Sequence, residues 1–210
     1  MRSSISIVAV LACLLVGCVS GGHRGSDEAP PSGSIYRSPQ GNFTCTVPNL
    51  LRPGARQVEH VGDGMANVTF SDDMGAMLRI ESIKLPDTLT ITPENLPKQL
   101  DRCYDATVMD LFRSVAADTV TLHREQLTTA AGQTLFAVVQ IPHGSTLANA
   151  DTGQRPDSVR GVMVFVQQGY FYLLMNQEWP AGVPNNSPMP MRIERLQNDL
   201  QQAVAGMTFH

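Results

Sequence analysis

Residues 159–168, VRGVMVFVQQ, and 170–177, YFYLLMNQ, stand on either side of Gly169, and their reading decides the fold. Both runs are rich in valine, phenylalanine and tyrosine, residue types that suit a pleated and largely buried surface. The glycine between them permits the positive φ of a tight hairpin turn, so the two strands pair antiparallel. Alternation places Tyr170 and Tyr172 on the face opposite Phe171. If only one face is covered, Tyr170, Tyr172 and the nearby Trp179 form a candidate partner-binding surface, because exposed aromatic groups favour interfaces. Burial on both faces is the competing expectation.

Working outward, Thr119–Thr128 and Gln133–Ile141 have the same composition, with a turn at Gly132, and complete a four-stranded meander. The polar, glycine-bearing stretch His143–Ser158 reads as a long loop. Earlier in the chain, Phe43, Cys45 and Val47 alternate on one strand face, and short strands come next at Gln57–Val61, Ala66–Ser71 and Ala76–Lys84. Asp72-Asp73-Met74-Gly75 is a hairpin turn between the last two. Thr92-Pro93-Glu94 announces a helix by a hydroxyl cap, a proline and an acid near the positive end. Leu96, Leu100, Cys103, Tyr104, Val108, Leu111, Phe112 and Val115 then recur at three- and four-residue steps, which predicts a regular helix over Leu96–Ala117. Pro188 starts a second helix whose Ile193, Leu196, Leu200, Ala203 and Val204 face a sheet, and Met207–Phe209 closes as a short strand or packed tail. The sum is a single α+β domain over residues 35–210, an antiparallel β-sheet with two main helices packed on it.

Several details together resemble a known group. Tyr36-x-Ser38-Pro39-x-Gly41-x-Phe43 opens the domain, Gly169-Tyr170-Phe171-Tyr172-Leu173-Leu174 lies near its end, and Leu196-x-x-Asp199-Leu200 leads into Met207-Thr208-Phe209. In this order they look like the PsbP/DcrB-like group of small exported α/β sandwich proteins. The resemblance implies helices on the faces of an antiparallel sheet and an accessory or binding role, and it carries over no catalytic residue.

The first eighteen residues bear on location. Arg2 is a charged start, and Ile5–Val16 is an apolar run of about a dozen residues, too short for the ~20 that span a bilayer as a helix. Leu15-Val16-Gly17-Cys18 resembles the lipobox of bacterial lipoproteins. That resemblance implies residues 1–17 as signal peptide, a diacylglyceryl thioether on Cys18, and a membrane contact made through this lipid. Val19 in place of Asp points, in a Gram-negative cell, to the outer membrane facing the periplasm. Residues 18–34 are dominated by Gly, Ser and Pro and read as lipidated Cys and flexible tether.

The formal net charge is −4, one unit more negative once Arg2 leaves, and Lys84 and Lys98 are the only lysines. Nucleic acid is excluded as a partner, since phosphate binding needs clustered Lys and Arg. Cys13 goes with the leader and Cys18 takes lipid, so Cys45 and Cys103 remain. In an oxidising envelope they are expected as a disulfide closing a loop of about 58 residues, worth ~4 kcal/mol by chain entropy. Two separate buried thiols are the alternative.

No motif names a reaction. None of His23, His60, His123, His143 and His210 stands at metal-ligand spacing with another. Ser145 comes after Gly144 but lacks the second glycine of a nucleophile elbow. Asp72-Asp73 reads as a turn, and Met74, Met77, Met189 and Met191 read as core material before they read as copper(I) ligands. The sequence therefore predicts a lipid-anchored envelope accessory or binding protein without catalytic activity or cofactor, its partner an envelope protein or small ligand. Two alternatives stay open: a hydrolase with a dispersed site around His123 or His143, and a soft-metal binder.

Overall fold

A computed structural model describes residues 23–26 (backbone only), 31, 33–49, 55–62, 64–145, 147–148, 150–178 and 185–210. Strands β1 (His23–Ser26), β4 (Arg56–Gly62), β5 (Met65–Ser71), β6 (Met77–Lys84), β7 (Val120–Thr129), β8 (Gly132–Ile141), β9 (Ser158–Gln167) and β10 (Tyr170–Gln177) build one large sheet. Its order is β1-β4-β5-β6-β10-β9-β8-β7, and every neighbouring pair runs antiparallel. Strands β2 (Ile35–Arg37) and β3 (Phe43–Thr46) join β11 (Met207–Phe209) in a small sheet of order β11-β3-β2.

The decisive hairpin forms as its sequence predicts. Gln168 and Gly169 both take positive φ, 48° and 75°, the combination of a type I′ turn whose twist matches the flanking strands. Strand β10 is central and buried on both faces. Tyr172 and Leu174 enter one core with Phe136, Phe165 and Phe70, while Phe171, Leu173 and Met175 enter the other with Leu135, Val162 and Val164.

The first core lies between the large sheet and a cover made of the small sheet and helix α3 (Met189–Ala205), which contributes Leu196, Leu200 and Val204. Gly161 permits the close approach of α3. A Cβ there would overlap Asn176 Oδ1 and meet Leu196 Cβ and Leu200 Cδ1 at 3.1 Å. At the start of α3, Glu178 accepts bonds from Arg192, Arg195 and Asn185, tying the helix to the end of β10.

The second core lies under the first helical unit, which departs from the expected regular helix. It comprises α1 (Leu96–Cys103), a π-helical stretch (Tyr104–Met109) and α2 (Asp110–Val115). A π-turn inserts an extra residue, and each residue rotates the remainder of the helix by about 100°. Tyr104, Thr107, Val108 and Met109 are all buried in consequence, whereas Leu111 and Val115, expected on the sheet-facing stripe, turn outward, Val115 to 79% exposure. Arg124 of β7 holds the unit down: it bonds Asp101 and Asp105 and lies 4.8 Å over the Tyr104 ring.

Two further expectations are corrected. Cys45 and Cys103 are free thiols, so the disulfide expected between them is not made. Cys45 sits in the core beneath the small sheet and Cys103 in the core beneath α1, on opposite faces of the large sheet. Packed layers lie about 10 Å apart, beyond the ~7 Å limit between bridged Cα atoms. Within the stretch read as flexible tether, His23–Ser26 is instead a strand, paired with Gln57–His60 of β4.

Candidate functional site

Where α3 leaves the large sheet, the first core opens into a cavity of about 190 Å³. Val47 and Leu78 give it apolar walls, and Asn49, Asn176, Asp199 and Gln202 give it polar ones. Three long-range meetings create it: the end of β3, the junction of β6 with β10, and the last turns of α3. Asn176 is held by donating Nδ2–H to the Leu196 carbonyl at 3.2 Å, and its Oδ1 is buried without a hydrogen-bond partner. Half-burial pushes the Asp199 carboxyl above the ordinary range, a rise the Arg195 charge only partly offsets. The cavity thus offers hydrogen-bond acceptors in a partly desolvated setting. Its chemistry suits a small ligand bearing N–H or O–H donors beside an apolar body.

The aromatic surface suggested by the sequence divides. Tyr172 is fully buried, stacked on Phe165 at 5.3 Å, with its hydroxyl donating to the Asn42 carbonyl at 3.2 Å. It therefore cannot meet a partner; the small sheet covers the face that would have been bare. Tyr170 is partly buried against the same core, its ring 6.3 Å from Tyr172, and it also lines a shallower groove with Leu85, Leu89 and Val166. Trp179 and Cys18 lie outside the described residues.

The turn and histidine candidates are engaged locally. Asp72 Oδ1 accepts from the backbone N–H of Met74 and Ala76, both at 2.9 Å, which builds the β5–β6 turn. His123 packs its ring 5.8 Å from Phe136, and Nε2 lies 3.4 Å from Glu125 Oε1. His143, Ser145 and Asp157 do come together in the β8–β9 loop, but as a folded turn. His143 Nδ1 lies 3.1 Å from the Arg155 carbonyl, Asp157 Oδ1 accepts from the His143 backbone N–H, and Ser145 Oγ accepts from the Leu147 N–H. The Ser145 oxygen thus engages the main chain, and the Asp157 oxygens the His143 N–H and the Gln140 side-chain amide, rather than an imidazole. Met77 borders the cavity, while Met191 is exposed. Among the described residues no group of three or more His, Cys, Asp and Glu gathers to hold a metal ion, and no helix is long and apolar enough to cross a membrane.

Sequence spacing missed Asp199 and Asn176, which occupy ordinary polar positions in their own elements. The only local signal was a polar Asn176 at the end of the apolar alternation of β10.

No protein-family model matches this chain, and no curated protein matches it by sequence. Among solved structures it is similar to cyanobacterial PsbP (CyanoP) from Synechocystis sp. PCC 6803, with a TM-score of 0.52 at 13% identity, over 89% of this chain and 98% of that one. The Saccharomyces cerevisiae Ran-binding protein Mog1p aligns with a TM-score of 0.48 at 13% identity, over 84% of this chain and 94% of the other. At such identity the CyanoP likeness is one of architecture: the chain folds as an α+β sandwich of the PsbP-like kind, antiparallel sheets with helices on their faces.

Proposed function

We propose that this chain is a lipid-anchored accessory protein of the bacterial cell envelope that acts by binding rather than by catalysis. The Leu15-Val16-Gly17-Cys18 leader supports the anchor, with Cys18 as the lipidated residue and the outer membrane as its site in a Gram-negative cell. The observation that carries the binding role is the cavity beside α3, where Asn176 Oδ1 is a buried acceptor without a donor and the half-buried Asp199 carboxyl lines the same wall. The fold shared with CyanoP is compatible with this role and adds no chemistry to it.

The test has two arms on the protein isolated from its native membrane. Mass spectrometry is expected to find an N-terminal Cys18 carrying acyl chains; an unmodified sulfur or a retained Met1 overturns the anchor. Thermal unfolding against a panel of small amines and polyols is expected to give a saturable rise in Tm with at least one compound. That rise is expected to disappear in Asp199→Ala. No rise with any compound, or one indifferent to Asp199→Ala, overturns the binding role of the cavity.

A further inference from the structure

A second site lies on the opposite face of the large sheet and is independent of the cavity. Met175 of β10 stands directly opposite Arg79 of β6 and Val162 of β9, and Arg160 lies on the face of Val162, two residues earlier. Arg160 reaches back so that Nη1 lies 3.7 Å from Met175 Sδ. One guanidinium thus meets the thioether at the margin of the core beneath α1 and α2, and Arg79, across from Met175 on the same face, brings a second cation near enough for its charge to act on Arg160.

Their partners do not balance their charge. Arg79 Nη2 donates to Glu81 Oε1 at 3.2 Å, while Arg79 Nε is buried with no acceptor. Arg160 donates Nε–H to Ser158 Oγ at 3.3 Å and Nη2–H to the Gly144 carbonyl at 3.2 Å, and lies 5.8 Å from the Phe112 ring. Every one of these partners is neutral, and no carboxylate among the described residues pairs with Arg160. Of the two permanent cations only Arg79 meets an acid, Glu81, whose side chain is only 6% exposed.

Arginine cannot shed its charge as a buried lysine or carboxyl does. A desolvated guanidinium beside another is unfavourable unless an anion joins them. Burial and the Arg79 charge both press the Arg160 pKa downward, the sign of a site short of negative charge. The side chain of Arg79 is 35% exposed, so the pair is reachable from solvent.

We propose that Arg79 and Arg160 form a binding site for an oxyanion, the carboxylate or phosphate group of a ligand, which bridges the two guanidinium groups over Met175. The planar fork of each side chain matches the oxygen spacing of such groups. Arg79 Nε–H is the donor left open for it. Glu81 holds Arg79 in place through its bond to Nη2.

The test reads the arginine Nε–H resonances of the intact protein by NMR during titration with sodium phosphate, and separately acetate, at constant ionic strength in sodium chloride. A third arm uses phosphatidylglycerol vesicles, with phosphatidylcholine vesicles as control. The expected result is a saturable shift of the Arg79 Nε–H signal with at least one oxyanion, weakened about tenfold or more in Arg160→Gln, as loss of one charge-assisted bond dictates. A response to free phosphate or acetate identifies a soluble ligand as source, and a response confined to phosphatidylglycerol identifies a lipid headgroup. If Arg160→Gln does not fold, Arg79→Gln replaces it, read by calorimetry. No saturable response in any arm, or one unchanged in the folded variant, overturns the site.

Discussion

The two faces of the large sheet are packed by different means. Beneath the small sheet the core is aromatic: Tyr172 stacks on Phe165, with the edges of Phe209 at 5.0 Å and Phe43 at 5.9 Å. That cluster draws together β3, β9, β10 and β11, and so clamps both ends of the domain. Beneath α1 and α2 the core is mostly aliphatic, and its cover contains a π-helical stretch. Each core ends in a polar atom that the packing leaves without a partner, beside a partly desolvated charged group: Asn176 Oδ1 with Asp199 on the first side, Arg79 Nε with Arg160 on the second. Rigid packing supplies the frame, and the candidate sites lie where that packing runs out.

The contrast can be broken by truncation on each side. Tyr172→Ala is expected to destabilise the fold by about 3–5 kcal/mol, the usual cost of deleting a buried ring, measured by urea unfolding. Phe112→Ala, under the π-containing unit, is expected to cost at least ~1 kcal/mol less, because an irregular helix collapses into the space more readily. Equal losses would dissolve the distinction between the faces. Tyr172→Phe separates packing from hydrogen bonding and should cost about 1 kcal/mol.

Gly161→Ala tests how closely α3 is seated. The added methyl overlaps Asn176 Oδ1 and crowds Leu196 and Leu200, so a loss of about 1–3 kcal/mol is expected. Asn176→Ala in the same chain should recover part of it; no recovery would mean that the helix, not Asn176, resists.

Placement of the two cysteines on opposite faces predicts no dependence on reductant. Burial pushes both thiols up to about 12, so they remain protonated and inert at neutral pH. A thiol reagent should label Cys45 and Cys103 only after denaturation, and dithiothreitol should leave the unfolding midpoint unchanged. A midpoint that falls on reduction would restore the bridge.

The smallest effect concerns Asp199. Its pKa is raised in the folded chain, so the native state binds the proton more tightly, and stability falls as pH rises from the unfolded carboxylate value of about 4 through the folded one. Asp199→Asn removes this slope and should leave the protein at least as stable at neutral pH. The side chain is half exposed and solvent-screened, so the gain stays below about 1 kcal/mol. Identical slopes in both proteins, monitored by thermal unfolding between about pH 4 and 7, would mean that the carboxyl is fully hydrated.

Much of the fold was legible because strands announce themselves locally. The hairpin at Gly169, the strands from Gln57 to Lys84, and α3 after Pro188 all lie within a residue or two of their predicted bounds. The failures were non-local. Nothing in the stripe from Leu96 to Val115 signals the extra residue of the π-turn, which arises from fitting Tyr104 and Met109 to the sheet and to Thr121. The cysteines could be paired on paper only because the sequence hides the sheet between them. Both candidate sites were missed for the same reason. Arg79 and Glu81 alternate with Leu78 and Ile80 as a solvent-facing row would, and only the tertiary structure sets Arg160 and Arg79 on one face, either side of β10, while burying Glu81.

The four residues of β1 bear on how the domain would sit if Cys18 carries the proposed lipid. From Cys18 to His23 the backbone spans five peptide steps, at most about 18 Å when fully stretched. With His23–Ser26 paired along β4 at the edge of the sheet, a lipid on Cys18 would moor the domain by that rim. A lipidated Cys18 would then set an orientation as well as an address, with the β1 rim toward the bilayer and the distant β7 rim presented outward.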